Sequence, residues 1–296
     1  MKEEKKTIYY KLIPKFIRRN IEENRIKKTI LSYYDELPEG YVNEEERKAL
    51  NYLRNNKLCV FPYHFQDNYK SSAINVFSDK ERGLKYTLCD GKRLYFKRKT
   101  SAQGIKRAFN YLVMEQDKQS PHRYLTDAFV LGDNDILVDV GAAEGNLPLS
   151  VIDKVKKVYL FETNSEWIEA LTATFSPWKD KVEIINKFVS NKNDAKNISL
   201  DQFFKDKEGF TFLKVDAEGA EAEILEGGKT CLSSFKEVKA AICTYHRPND
   251  AVILKNNLEN HKFTVSYSDG YMIFTEPKTF FPPYLRKGLI RATKIQ

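Results

Sequence analysis

From about residue 133 the chain alternates short apolar strands with helical stretches, and no other feature constrains its fold as tightly. Residues 136–140, 158–161, 182–185, 210–215 and 238–244 read as strands, with helices starting near Asn146, Ser165, Gly219 and Asn249. Such alternation predicts a parallel sheet with helices on both faces. Residues 263–267 and 271–275 are joined by Ser268-Asp269-Gly270 alone. That link is too short for a helical crossover, so the closing pair is expected to be antiparallel.

The first half reads differently. Residues 8–31 place Ile17, Ile21, Ile26 and Ile30 near helical spacing, with Lys15, Arg18, Arg19, Arg25, Lys27 and Lys28 between them. Asn43 followed by three glutamates marks a second helix start, where a side-chain cap and early acidic residues both help. Around Asp90-Gly91 apolar and polar residues alternate, the pattern of a β-hairpin whose turn needs positive φ. Residues 101–119 are expected to form a linking helix. This divides the chain into an accessory region 1–115, a domain 116–276 and a basic tail 277–296.

A formal charge of +8 raises the question of nucleic acid. Residues 1–115 carry 25 basic and 15 acidic side chains, residues 116–276 carry 19 and 26, and the tail carries 5 and none. An acidic central domain is a poor platform for a phosphate backbone, so no nucleic-acid partner is expected. The basic ends mix Ile and Leu with cations and could contact an anionic membrane surface. No run approaches the roughly 20 apolar residues of a membrane span, and charges and Pro14 interrupt any leader-type core, so a cytoplasmic protein is expected. Cys59, Cys89, Cys231 and Cys243 show neither a disulfide framework nor a CxxC pair. His64, His122 and His261 lack ligand spacing and read as structural.

In an open α/β sheet the ligand lies beyond the carboxyl ends of the strands. The first such end is Asp139-Val140-Gly141-Ala142-Ala143-Glu144-Gly145-Asn146, and Glu162 ends the second strand 21 residues after Gly141, a spacing that suits a carboxylate on ribose hydroxyls. Dinucleotides and S-adenosylmethionine both use such turns. A pyrophosphate favours GxGxxG and would be repelled by Asp139 and Glu144, whereas an ammonium and a sulfonium favour those charges. The antiparallel closing pair also favours the methyltransferase arrangement. The alternatives are an NAD-dependent oxidoreductase, a non-catalytic cofactor-binding module, or a turn that merely packs strand against helix.

Residues 212–228, Phe-Leu-Lys-Val-Asp-Ala-Glu-Gly-Ala-Glu-Ala-Glu-Ile-Leu-Glu-Gly-Gly, resemble the signature of the FkbM-type S-adenosylmethionine-dependent methyltransferases, and the likeness extends over about residues 130–275. Ala143 and Thr163 stand where that family usually has Asn and Pro. The resemblance implies a class I methyltransferase (Rossmann-like) fold, a mostly parallel seven-stranded sheet with an antiparallel last strand. It also implies O-methylation, often of a sugar, so the expected acceptor is a small-molecule or lipid-linked glycan or glycan precursor.

The expected cofactor contacts are Asp139, Gly141, Ala142, Ala143, Glu144, Gly145, Asn146, Glu162 and Thr163. Asp216 and Glu218 leave the fourth strand and His246 leaves the fifth, so the three are expected to converge on the methyl group. His246 is the expected general base, since imidazole titrates near neutrality. Asp216 or Glu218 is the alternative base, or a grip on sugar hydroxyls. Lys214 is expected to face away or to neutralise this acidic group. Asp216, Glu218 and Asp250 could offer oxygens to a divalent ion, but no metal is assigned.

Overall fold

A computed structural model of the chain describes residues 15–295. The start of the helix expected at 8–31 lies outside them. In chain order the elements are α1 (Lys15–Asp35), α2 (Glu44–Asn55), β1 (Phe77–Asp79), β2 (Leu84–Cys89), β3 (Lys92–Phe96), α3 (Ala102–Glu115), β4 (Ile136–Val140), α4 (Asn146–Val151), β5 (Lys157–Phe161), α5 (Ser165–Thr174) and β6 (Val182–Ile185). There follow β7 (Phe188–Val189), β8 (Asn197–Ile198), α6 (Leu200–Phe203), β9 (Phe212–Val215), α7 (Glu221–Glu226), α8 (Lys229–Ser234), β10 (Val238–Cys243), α9 (Asp250–Asn260), β11 (Thr264–Tyr267), β12 (Met272–Ile273), β13 (Leu285–Arg286) and β14 (Leu289–Lys294).

The seven-stranded sheet runs β11-β14-β10-β9-β4-β5-β6. β14 is antiparallel to both its neighbours and the other strands are parallel, which is the class I methyltransferase order. Strand alternation divides the core. Val138, Val140, Leu213 and Val215 face α7 and α9 through Ile224, Leu254 and Leu258. Leu137, Leu160 and Phe212 turn to the other face and meet Leu147, Leu149 and Leu171 of α4 and α5.

The antiparallel strand comes from a different segment than expected. Residues 264–267 lie parallel to the central strands, and their antiparallel partner is β14, paired from Thr264 opposite Thr293 to Tyr267 opposite Ile290. After the Asp269-Gly270 turn, Met272 and Ile273 leave the sheet and pair with β13. Ile273, Tyr284 and Leu285 pack there against Ile30, Tyr34, Leu50 and Leu53 of α1 and α2, which is what draws them away.

The expected basic tail is therefore structural. Leu289, Ile290 and Ala292 are fully buried. Arg286 donates to the carbonyls of Tyr245, His246 and Thr279, Arg291 to those of Arg123 and Tyr124, and Lys294 to those of Leu232 and Ser233. Lys287 pairs with Glu45 at 2.6 Å. Four of the tail's five cations are thus engaged within the protein. Among the described residues, no helix is long and apolar enough to cross one.

Among the described residues, the buried clusters of the accessory region are shared with the rest of the chain. Leu94, Phe96 and Ile105 join the same cluster as Leu137 and Leu160. Tyr95 N donates to Thr174 Oγ1 and Arg98 pairs with Glu169, so the hairpin is fastened along α5. Asn43 caps α2 as expected, Glu46 N donating to its Oδ1, and the structure adds the reciprocal bond of a capping box, Asn43 N to Glu46 Oε2.

Candidate active site

Register brings three strand ends to one rim. Val140 lies opposite Phe161 on one side and Val215 on the other, so Gly141, Glu162 and Asp216 leave the sheet at the same level. The first turn binds back to the second strand, Gly141 N and Ala142 N both donating to Phe161 O. Gly141 has φ of 75°, and a Cβ there would lie 2.0 Å from the carbonyl oxygen of Asp216. Only glycine fits this contact.

Beyond the rim is a cavity of about 370 Å³, large enough for a nucleoside-sized ligand. Gly141, Ala143, Glu162 and Thr163 of the expected contacts line it, as do Asp216 and Glu218. Ala143 and Glu218 hold φ of 43° and 53°, so two non-glycine residues in the left-handed region stand on its wall. Such conformations persist where surrounding structure over-determines them.

Other expected contacts lie elsewhere. Asp139 is 1% exposed and pairs with Lys214 at 2.7 Å beneath the turn, so it is not offered to a cofactor ammonium. Lys214 also donates to Gly141 O, neutralising Asp139 and bracing the turn together. Ala142 is buried; Ala142, Glu144 and Gly145 do not line the cavity, and Asn146 lines a separate one. Gly145 serves as the left-handed cap of α4. The pattern at 139–146 thus contains more turn architecture than ligand contact.

Glu162 is partly committed. Its Oε1 accepts from Thr163 N and Asn164 N, and its Oε2 accepts from Ala143 N. A carboxylate oxygen accepts about two hydrogen bonds, which leaves one acceptor position on Oε2 for a ribose hydroxyl. Trp167, Phe188, Lys187 and Lys97 complete the wall. Lys97 belongs to the accessory hairpin, its ammonium 4.4 Å over the Trp167 ring. Sequence reading missed it because the hairpin is distant in the chain and has no ligand motif.

Asp216 is the centre of the polar cluster. Tyr124 Oη donates to its Oδ2 at 3.1 Å and Tyr245 Oη to its Oδ1 at 3.0 Å. His122 Nε2 lies 3.6 Å from Oδ2 and His246 Nε2 lies 3.4 Å from Oδ1. Burial would raise this carboxyl, but the His122 contact and the charges of Lys214, His122 and His246 outweigh it and hold it well below the usual carboxylate range. Asp216 is therefore an anion throughout the physiological range.

His246 does not line the cavity. Its Nδ1 lies 3.0 Å from Glu221 Oε1, without hydrogen-bond alignment, and its Nε2 faces Asp216. Burial lowers its pKa, but Glu221 and Asp216 outweigh burial and raise it. The ring is thus held between two carboxylates, 6% exposed, with Asp216 between it and the cavity. Glu218, exposed at the cavity mouth, stands apart from this cluster. His122, read as structural from sequence, is 2% exposed and touches both Asp216 and Cys243 Sγ.

Residues 131–252 match the family model of the methyltransferase FkbM domain. Over these residues the chain is similar to an FkbM methyltransferase domain. The sheet that carries residues 131–252 has the strand order of class I methyltransferases. No curated protein matches the chain. A solved methyltransferase FkbM from Methylobacillus flagellatus KT aligns at 16% identity and a TM-score of 0.48, over 93% of this chain and 59% of that one. The chain thus spans about three fifths of that protein's length. An rRNA methylase from Streptococcus thermophilus aligns at 22% identity and TM-score 0.40 over 56% and 90% of the two chains. Precorrin-6y C5,15-methyltransferase from Geobacter metallireducens GS-15 aligns at 12% and 0.40 over 67% and 94%.

Proposed function

We propose that the chain transfers the methyl group of S-adenosylmethionine to a hydroxyl of a sugar, glycan or glycan precursor. One observation carries the reading: Asp216, an ionised carboxylate fixed by two phenols and flanked by two histidines, stands on the wall of the cofactor cavity. A hydroxyl acceptor donates its hydrogen bond to such a group, which aligns the oxygen for in-line attack on the methyl carbon. As the oxygen–carbon bond forms, the bond from the methyl carbon to the sulfonium sulfur breaks, its electron pair stays on sulfur as S-adenosylhomocysteine leaves, and the acidic proton of the methylated oxygen passes to the Asp216 carboxylate. The buried imidazoles behind Asp216 act as positioning residues.

The test is transfer of labelled methyl from S-adenosylmethionine into fractions of glycolipid, nucleotide sugar and small metabolites. Label in a carbohydrate fraction, lost in Asp216→Asn while S-adenosylhomocysteine still binds, is the expected result. Full turnover in Asp216→Asn, or label confined to nucleic acid, would overturn the proposal. Binding of NAD in preference to S-adenosylhomocysteine would move the chain to the oxidoreductase class.

A further inference from the structure

Behind the cavity wall, Asp216, Glu221 and His246 bring one ligand atom each to within 4.8 Å of one another. Glu221 is 1% exposed and His246 6%. The Glu221 Oε1 accepts from Ala217 N at 2.9 Å and Gly219 N at 3.3 Å, which fills its lone pairs. Its Oε2 has no partner, and neither has His246 Nδ1 in hydrogen-bonding geometry. Buried polar atoms are rarely left so, and here two of them belong to adjoining members of one cluster.

Charge points the same way. Two carboxylates lie in this cluster, and Lys214, whose charge acts on Asp216, is already engaged by Asp139 and by Gly141 O. A proton on His246 offsets one negative charge. It leaves Glu221 Oε2 unbonded, because the ring approaches Oε1.

We propose that Asp216, Glu221 and His246 form a binding site for a single divalent first-row transition ion. One imidazole nitrogen with two carboxylate oxygens suits Zn²⁺, Co²⁺ or Mn²⁺, and the nitrogen disfavours Mg²⁺. Three protein ligands leave coordination positions open, and Asp216 turns the site toward the cavity. His122, 3.6 Å from the other oxygen of Asp216, and the Tyr124 and Tyr245 hydroxyls hold that ligand in orientation. The set differs from the oxygen donors considered from sequence: Glu218 is exposed, and the Asp250 carboxylate accepts from Arg247 N instead. The site stands on geometry and does not depend on which acceptor is methylated.

The full chain, stripped with a chelator and dialysed, is titrated with Zn²⁺, Mn²⁺ and Mg²⁺, with bound metal counted by mass spectrometry. One Zn²⁺ or Mn²⁺ per chain is expected, with Mg²⁺ at least about tenfold weaker. Glu221→Gln keeps the shape and the acceptor for the two backbone amides, and it should weaken binding by about a hundredfold or more; His246→Gln should do the same. Should either variant fail to fold, the wild-type chain still decides: pulsed electron paramagnetic resonance of bound Mn²⁺ must show coupling to an imidazole nitrogen. No stoichiometric ion on a folded chain, binding unchanged in both variants, or Mn²⁺ without nitrogen coupling overturns the site. S-adenosylhomocysteine titrated into the same samples reports the cofactor cavity separately, so loss of that binding with the ion retained counts against the methyl-transfer reading alone.

Discussion

The backbone of Gly141 passes so close to Asp216 that a Cβ on the glycine would sit 2.0 Å from the aspartate's carbonyl oxygen. The turn that shapes the cofactor cavity and the strand end that carries its central carboxylate are thus one packed unit. Gly141→Ala must push them apart and also adopt φ of 75°, which costs an L-residue about 1–2 kcal/mol by itself. The expected outcome is a protein with a lowered Tm and an S-adenosylhomocysteine affinity reduced by about a hundredfold or more. Isothermal titration showing near-wild-type affinity would refute this coupling.

Phe188 is 56% exposed and yet lines the cavity, an arrangement that leaves its ring free to stack on a planar ligand. Base–aromatic stacking contributes about 1–3 kcal/mol, so Phe188→Ala should raise the S-adenosylhomocysteine Kd by about tenfold or more. Fold stability should move by no more than about 0.5 kcal/mol, as for other exposed positions. An unchanged Kd would remove Phe188 from the site.

Of the chain's two tryptophans, Trp167 lines the cavity and lies under the Lys97 ammonium, whereas Trp178 is not in the wall. Ligand entering the cavity changes the surroundings of Trp167 alone. S-adenosylhomocysteine should therefore shift the fluorescence of Trp178→Phe and leave that of Trp167→Phe flat. The reverse pattern would place the ligand elsewhere.

What the sequence disclosed follows the range of the interactions. Gly141, Glu162 and Asp216 were legible because each is the residue after a strand, where local turn chemistry and a fixed sheet position act together. β14 was not, since residues 285–294 mix cations with Leu and Ile like an amphipathic surface segment. Only the fold reveals that Arg286, Arg291 and Lys294 bind carbonyls from distant parts of the chain. His122 was missed for the same reason, being 94 positions ahead of the Asp216 it touches. Asp139 misled in the opposite sense: its place at the end of a strand suggested a ligand contact, and the alternation of the strand buried it against Lys214 instead.

Glu115, the last residue of α3, should make stability depend on pH. Burial, partly offset by His122 and reinforced by Asp216 and Glu144, lifts its carboxyl from an ordinary value near 4.5 to about 7, with Lys214 lowering it slightly. The folded state then binds this proton more tightly than the unfolded chain. Its contribution is fully present below about pH 4.5 and is lost as pH rises toward 7. Glu115→Gln keeps the shape without the charge, so the variant should gain stability relative to wild type at pH 8 and little at pH 5. Urea unfolding at the two pH values measures the difference, and an equal effect at both would show that Glu115 titrates normally.

Lys294 separates the structural role of the last strand from the site. Its ammonium, on a residue 2% exposed, donates at 2.8 Å to Leu232 O and at 2.6 Å to Ser233 O, carbonyls at the end of α8 that have no helical partner. Hydrogen bonds to a charged group contribute about 1.5–3 kcal/mol each, and carbonyls left buried without a donor cost more. Lys294→Ala should therefore destabilise the fold by about 2–4 kcal/mol. The cofactor cavity lies at the opposite ends of the strands, since β14 runs from Leu289 beside Cys243 to Lys294 beside Val238. S-adenosylhomocysteine affinity should consequently stay within about twofold of wild type at temperatures where the variant is folded. A variant as stable as wild type would mean that residues 289–294 are the detachable basic tail their composition suggests.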